Sequence, residues 1–473
     1  MTGPFSPGLT AGGSGTLWGM RSWGRLSAVL AGLLLVTACA TAIPGEPMSA
    51  SGALVGSVDP IFVQGTDGKD TDQLAATAVT DVQEFWRQTF PAVFGKPWKD
   101  LSGGVFSVDT SDQKAKAPPC TQQAADVEGN AFYCPQSDSV AWDRAALLPV
   151  LRDRFGDASV VLVLAHELGH AVQSRSGLTP QAERADPERY PTILIETMAD
   201  CYAGAFVRSV AEGKAQHLRI NPRQLDLALG ALVSFRDPVG TTQSAAGAHG
   251  DAFDRVSAFQ DGYGQGAKLC AGMTVQNRTF TQRGFTSQQD LATGGNLKLV
   301  QLVSLLTPDL NNFFGQLVGT AWQAPALKST DVDPSCSGGT QGPVAYCVDQ
   351  KAVALNANGT IPKLVADIGD FAAGTLIASR YGLAAVAALG KPVDGPDAGK
   401  QAVCLAGAYT GSVLARQGTA DVALSPGDLD KSVQVLLGYD YAARNSAGRA
   451  VPTGFERVAA FRDGFSRGAK VCV

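Results

Sequence analysis

Only four histidines and five methionines occur in the 473 residues; aromatic residues make up 7% and charged residues 17%, and the net charge is -5. No block of Lys and Arg interrupts this mildly acidic balance, which argues against nucleic acid as a partner. The apolar run at 26–36 is too short to cross a bilayer comfortably, which takes ~20 residues. With so few histidines, any pair at metal-ligand spacing is informative. The chain is nevertheless 45% hydrophobic, over a length that supports two or three domains with proper cores. That excludes a disordered chain or a miniprotein.

Residues 1–19 are rich in Gly, Ser and Thr, and Met20 is a candidate start. Arg21 and Arg25 precede the apolar run, and Val36-Thr37-Ala38-Cys39 closes it, so residues 1–39 read as a signal peptide with a lipobox. Cys39 would then carry lipid after cleavage and anchor the protein on the extracytoplasmic face of the cell membrane. The alternative is plain secretion with cleavage near Ala40. Residues 40–59, with Pro44 and Pro47 among Gly and Ser, are expected to form a flexible tether.

Of nine cysteines, eight remain once Cys39 is set aside, a number suited to four disulfides in an oxidising compartment. They fall in two sets: Cys120, Cys134, Cys201 and Cys270, then Cys336, Cys347, Cys404 and Cys472. Residues 253–270 match 455–472, 201–206 match 404–409, and 119–134 match 334–347, which indicates an internal duplication. The economical pairing follows it: Cys120 with Cys134, Cys201 with Cys270, Cys336 with Cys347, Cys404 with Cys472. Two domains are expected, 60–280 and 281–473.

Leu74, Val79, Val82, Phe85 and Trp86 recur at helical spacing and predict a helix over 71–90, ending near Pro91. Residues 103–108, 131–134 and 139–142 read as short strands, and the strand around Val140 is a candidate edge for pairing with an extended peptide. Residues 144–153, 157–176, 191–211, 222–235 and 250–268 read as helices. The fold class is α+β, with more helix than strand.

The chemistry lies in His166-Glu167-Leu168-Gly169-His170. On a helix, positions four apart share a face, so His166 and His170 can address one metal ion, with Glu167 beside them to take a proton from water. Glu196 and Asp200, again four apart, supply a candidate third ligand and a hydrogen-bond partner for one imidazole. The alternatives are a helix pair without metal and two acids on a solvated face. His249 is the candidate second donor to an oxyanion, with Tyr202 behind it, whereas His217 reads as a surface residue.

Residues 166–173, 196–204, the Tyr133-Cys134-Pro135 stretch and the tail from His249 through Arg255 to Gly262 resemble the bacterial neutral zinc metallopeptidases, over roughly 60–275. Within that family the chain is most similar to lipidated actinobacterial members. The resemblance implies a mainly helical, zincin-like metallopeptidase domain with one Zn2+ per chain. It also implies the ligands His166, His170 and Glu196, the general base Glu167, and a protein or peptide substrate cut by zinc-activated water. The second half would be a degenerate, non-catalytic copy. Aligning Gly177 with Gly382 sets Phe371-Ala372-Ala373-Gly374-Thr375 opposite the histidine motif; aligning Cys201 with Cys404 sets Gly399 and Val403 opposite Glu196 and Asp200, and aligning Phe253 with Phe455 sets Val451 opposite His249. A rival reading is an inactive envelope scaffold with a vestigial metal site; a third is a zinc hydrolase of non-protein envelope amides.

Overall fold

The computed structural model describes residues 52–245, 247–418 and 421–473. The segment expected to be a signal peptide, Cys39 and most of the expected tether lie outside the described residues. Within them the tether reading fails from Ala53 onward. Ala53 is fully buried, Leu54 forms a β-bridge with Leu218, and Val55 N donates to His217 O at 2.8 Å. Burial and pairing of Ala53-Leu54-Val55 outweigh the small-residue composition around them.

The first half runs β1 (Val63–Gln64), α1 (Asp70–Phe94), β2 (Gly104–Val108), β3 (Ala131–Cys134), β4 (Ser139–Asp143), α2 (Leu147–Phe155) and α3 (Asp157–Ser176). It continues through α4 (Pro180–Ala185), α5 (Thr192–Ala211), α6 (Pro222–Ser234), α7 (Ala252–Gln265) and α8 (Ala267–Ala271). After α9 (Gln288–Thr293) come α10 (Leu299–Val318), β5 (Ala326–Thr330), β6 (Val344–Cys347), β7 (Ala352–Asn356) and α11 (Thr360–Asp367). Then follow α12 (Asp370–Ala388), α13 (Ala398–Ala415), α14 (Asp428–Gly438) and α15 (Gly454–Arg467). The class is α+β. Helix α1 outlasts its expected end because Pro91 forfeits one N–H only, while Gly95, at φ 69°, closes the helix on Pro91 O.

The first sheet has the order β1-β2-β4-β3, with β4 parallel to β2 and antiparallel to β3; the second, β5-β7-β6, repeats that pairing. Val140 therefore lies in an interior strand, fully buried, and offers no edge to a peptide. The edge strands are β1 and β3, and β3 is the one packed beside α3. Alternation of residues along a strand does not reveal which strand lies outermost.

Two helix crossings bring backbones into contact. A Cβ on Gly262 of α7 would stand 1.7 Å from Cys201 O of α5, and one on Gly464 of α15 would stand 1.8 Å from Cys404 O of α13. Disulfides Cys201–Cys270 and Cys404–Cys472 staple the same crossings, and Cys120–Cys134 and Cys336–Cys347 clasp β3 and β6. The halves meet through α6 and α7 against α14 and α15. Asp226 of α6 accepts Gly454 N (2.7 Å) and Phe455 N (2.8 Å) at the start of α15. In return Asp430 of α14 accepts Ala252 N (2.8 Å) at the start of α7. Phe253 packs on Phe465, with ring centroids 4.7 Å apart.

Matching the halves element by element corrects the alignment made on Gly177 and Gly382. Both α3 and α12 begin at an Asp after a glycine N-cap. Gly169 lies against Ala199 of α5 as Gly382 lies against Ala402 of α13. Ser379, Arg380 and Leu383, not Phe371 to Thr375, thus stand opposite His166, Glu167 and His170.

Candidate metal centre

Helix α3 is buried along most of its length, so its polar residues are held in an apolar frame. His166 and His170 share a face, with ring centroids 5.0 Å apart. Gly169 is what lets α5 come close: a Cβ there would meet Ala199 Cα at 2.9 Å. That approach brings Glu196 to the imidazoles. Its Oε2 lies 3.2 Å from His166 Nε2 and 3.7 Å from His170 Nε2. One ligand atom from each of His166, His170 and Glu196 lies within 4.8 Å of the others.

The remaining imidazole nitrogens are held from behind. His166 Nδ1 is 2.7 Å from Asp200 Oδ1, and His170 Nδ1 is 2.9 Å from Gln173 Oε1. Gln173 is anchored in turn by donating to Ile195 O at 2.6 Å. Arg255 of α7 grips Asp200 twice, each bond 2.9 Å, and donates to Phe235 O at 2.7 Å. Such partners fix ring orientation and tautomer and present both Nε2 atoms to one point.

The electrostatics favour a cation there. Burial opposes a charged His166, but the Asp200 and Glu196 carboxylates lift its pKa to about 10. Burial likewise opposes an ionised Glu196, yet the two imidazoles hold it well below the usual carboxylate range. Glu196 Oε2 is buried and accepts no hydrogen bond despite its two close imidazoles. An orphaned buried acceptor costs ~1–3 kcal/mol, a cost that a divalent ion among these three atoms would remove. Two nitrogens and one carboxylate oxygen are a donor set that zinc accepts, with one position left open. The residues present fit the group.

Glu167 points to the neighbouring strand. Its Oε2 accepts Tyr133 N at 3.0 Å, and burial pushes its pKa up against the pull of His166 and His170. Because Asp143 N bonds Asn130 O, alternation aims the backbone groups of Ala131 and Tyr133 away from β4, toward the metal centre. They line a cleft of about 560 Å³ together with both histidines, Glu167, Glu196, Glu183 and His249. His249 is half-exposed and tethered to Asp237, through its backbone N at 2.8 Å and its ring at 3.5 Å. Tyr202 is not in this cleft: it is buried against Trp86. His217 is not a plain surface residue either, being 20% exposed and bonded to Asp81 at 2.7 Å. Its ring is drawn inward by a buried acid that the sequence spacing could not reveal.

The corresponding place in the second half is closed. Arg380 is fully buried and donates to Gln341 Oε1 (2.9 Å), Arg444 O (2.8 Å) and Ala442 O (2.6 Å). Gln341 in turn covers the backbone of Tyr346 on β6, accepting its N–H at 3.0 Å and donating to its carbonyl at 2.8 Å. Burial lowers the Arg380 pKa to about 9, with Arg444 adding to the effect.

Sequence reasoning assigned no role to Gln173, Arg255, Glu183 or the Tyr133 amide. Gln173 had a legible signal, since it lies one turn beyond His170. Arg255 did not, because its duplicate Arg457 made it look like scaffold; Arg457 in fact bonds carbonyls such as Leu436 O at 2.7 Å.

Two imidazoles and a carboxylate from adjacent helices converge on one point with a second carboxylate beside them at a strand edge, a donor set that could hold a metal ion. The family described as "Putative neutral zinc metallopeptidase" matches residues 10–289, more than half of the chain, and the chain belongs to it. Uncharacterized protein Rv2575 of Mycobacterium tuberculosis is 29% identical over 159 residues, which is 30% of this chain and 54% of that protein. Uncharacterized protein YpfJ of Escherichia coli K12 is 28% identical over 151 residues, 28% of this chain and 50% of that protein. The chain thus spans about half the length of the curated relatives it matches. No solved structure matches it.

Proposed function

We propose that this protein is a zinc-dependent metalloendopeptidase, anchored by lipid on Cys39 at the extracytoplasmic face of the cell membrane, that hydrolyses proteins or peptides. The observation that carries the reading is the orphaned Glu196 oxygen between two converging imidazoles, with Glu167 at hand and held by a strand amide. Bound there, zinc would supply a Lewis acid that polarises a carbonyl and lowers the pKa of water to about 7. Glu167, its basicity raised by burial, takes up a proton and returns it to the leaving amine. His249 lines the cleft wall, and in this reading it donates to the developing oxyanion. The outward backbone groups of Ala131 and Tyr133 suit an extended peptide laid along β3, which is why a peptide is the preferred substrate. The lipobox at 36–39 and four disulfides support an oxidising, extracytoplasmic location. The second half is read as a degenerate copy in which Arg380 and Gln341 seal the site, leaving it a packing role.

Metal analysis coupled to a peptide-library digest tests this reading. Zinc at one per chain, with cleavage abolished in Glu167→Gln and zinc retained, is the expected result. Unchanged behaviour of Glu167→Gln in every assay supports the inactive scaffold instead.

A further inference from the structure

Nearly every ionisable side chain lining the cleft has an assigned partner. His166, His170 and Glu196 form the metal set, and Glu167 holds the Tyr133 amide. Arg255 is neutralised by Asp200, and His249 leans on Asp237. Glu183 remains. It lines the same cleft, is half-buried, and its carboxylate makes no hydrogen bond or ion pair with any described residue. It lies close enough to His170 and Glu196 to feel their charges, His170 more than the exposed Arg184 next to it in sequence.

Its position is set by the chain. Thr179 caps α4 by accepting Ala182 N at 3.3 Å, and Pro180 occupies the first turn. Helix α4 therefore carries Glu183 into the cleft wall without any bond from the carboxylate itself. Burying a charge in part and leaving it unpaired costs free energy, which a ligand cation would recover through a charge-assisted hydrogen bond. With Arg255 balanced by Asp200 and the metal set balanced by its own carboxylates, Glu183 is left as a cleft acid with no bonded partner among the described residues.

We propose that Glu183 is a specificity-determining residue that receives a cationic group of the substrate, an amine or guanidinium, close to the scissile bond. The proposal rests on the hydrolase reading above and adds the substrate class. The cation has two possible sources, a Lys or Arg side chain or the free N-terminal ammonium of a short peptide.

The test uses zinc-loaded full-length protein and peptides that differ at one position, Lys against Gln against Glu, each with a free or an acetylated N-terminus. In the wild type, kcat/KM for cationic peptides should exceed that of neutral isosteres roughly five- to tenfold. Glu183→Gln should bring that ratio close to one, and Glu183→Lys should reverse it in favour of Glu peptides. In a Glu167→Gln background, the same ranking should appear in Kd measured by fluorescence anisotropy. An advantage lost on acetylation assigns the cation to the N-terminus, and one that survives assigns it to a side chain. Cleavage without discrimination in the wild type, or discrimination unchanged in Glu183→Gln, overturns the assignment alone. A zinc-loaded protein that cleaves and binds none of the peptides overturns the hydrolase reading together with it.

Discussion

Asp200 is fully buried; its Oδ1 is shared by His166 and Arg255, and its Oδ2 accepts a second bond from Arg255. Burial alone would raise its pKa, but Arg255 and His166 hold it below the usual carboxylate range. Replacing it with Asn keeps an acceptor for the imidazole but leaves the Arg255 guanidinium without its counter-charge. Zinc affinity of Asp200→Asn is expected to fall by about 10- to 100-fold, the usual effect of removing a ligand's supporting partner. Stability should fall by ~3–5 kcal/mol, as for a buried ion pair broken on one side. Chelator competition and urea unfolding measure the two separately. At this scale the sequence was legible where contacts are local. His166 and His170 lie one turn apart, and the facing acids lie one turn apart on the next long helix. Arg255 was hidden because its bond to Asp200 joins helices 55 residues apart in the chain, and Glu183 because nothing in its neighbourhood distinguishes it from a solvated acid.

Among the elements, the close crossings decide the geometry. Gly262 and Gly464 let helices touch where any side chain would strike a carbonyl oxygen. Gly262→Ala should therefore destabilise the protein by about 3 kcal/mol, and Gly464→Ala should do similarly, both measured by chemical denaturation. Only Gly262→Ala should also weaken zinc binding, because α5 and α7 carry Asp200 and Arg255, whereas α13 and α15 carry neither. The helices of the first half and the strand at 131–134 could be read from periodicity, because burial imposes that pattern directly. Sheet order could not, since β4 and β3 look alike in sequence while one is interior and the other an edge. The offset of α12 was misplaced for a related reason. This helix has two glycines, Gly374 and Gly382, that could be set opposite Gly169, and the choice between them emerges from the N-cap and the contact with Ala402.

Over the whole molecule, the seam between the halves carries buried acids that respond to pH. Burial, reinforced by Asp251, lifts Asp430 to about 8, and burial lifts Asp428 to about 7 against the pull of Lys431. Both carboxyls keep a proton in the folded protein at pH values where the unfolded chain has released it. Their contribution to stability is thus fully present below about pH 4 and lost as pH rises through about 7 to 8. Melting temperature should fall across this window, and Asp430→Asn should flatten the fall while preserving the acceptor for Ala252 N. A profile in Asp430→Asn as steep as in the wild type would contradict this assignment.

The exchanged caps, Asp226 on α15 and Asp430 on α7, give each half a hold on the other that is the same in both directions. Joined in one polypeptide, the two holds cannot be lost by dilution, as they could between separate chains. The second half therefore braces the helix from which Arg255 reaches Asp200, and damage to that brace would be felt at the imidazoles without any change in the residues around them.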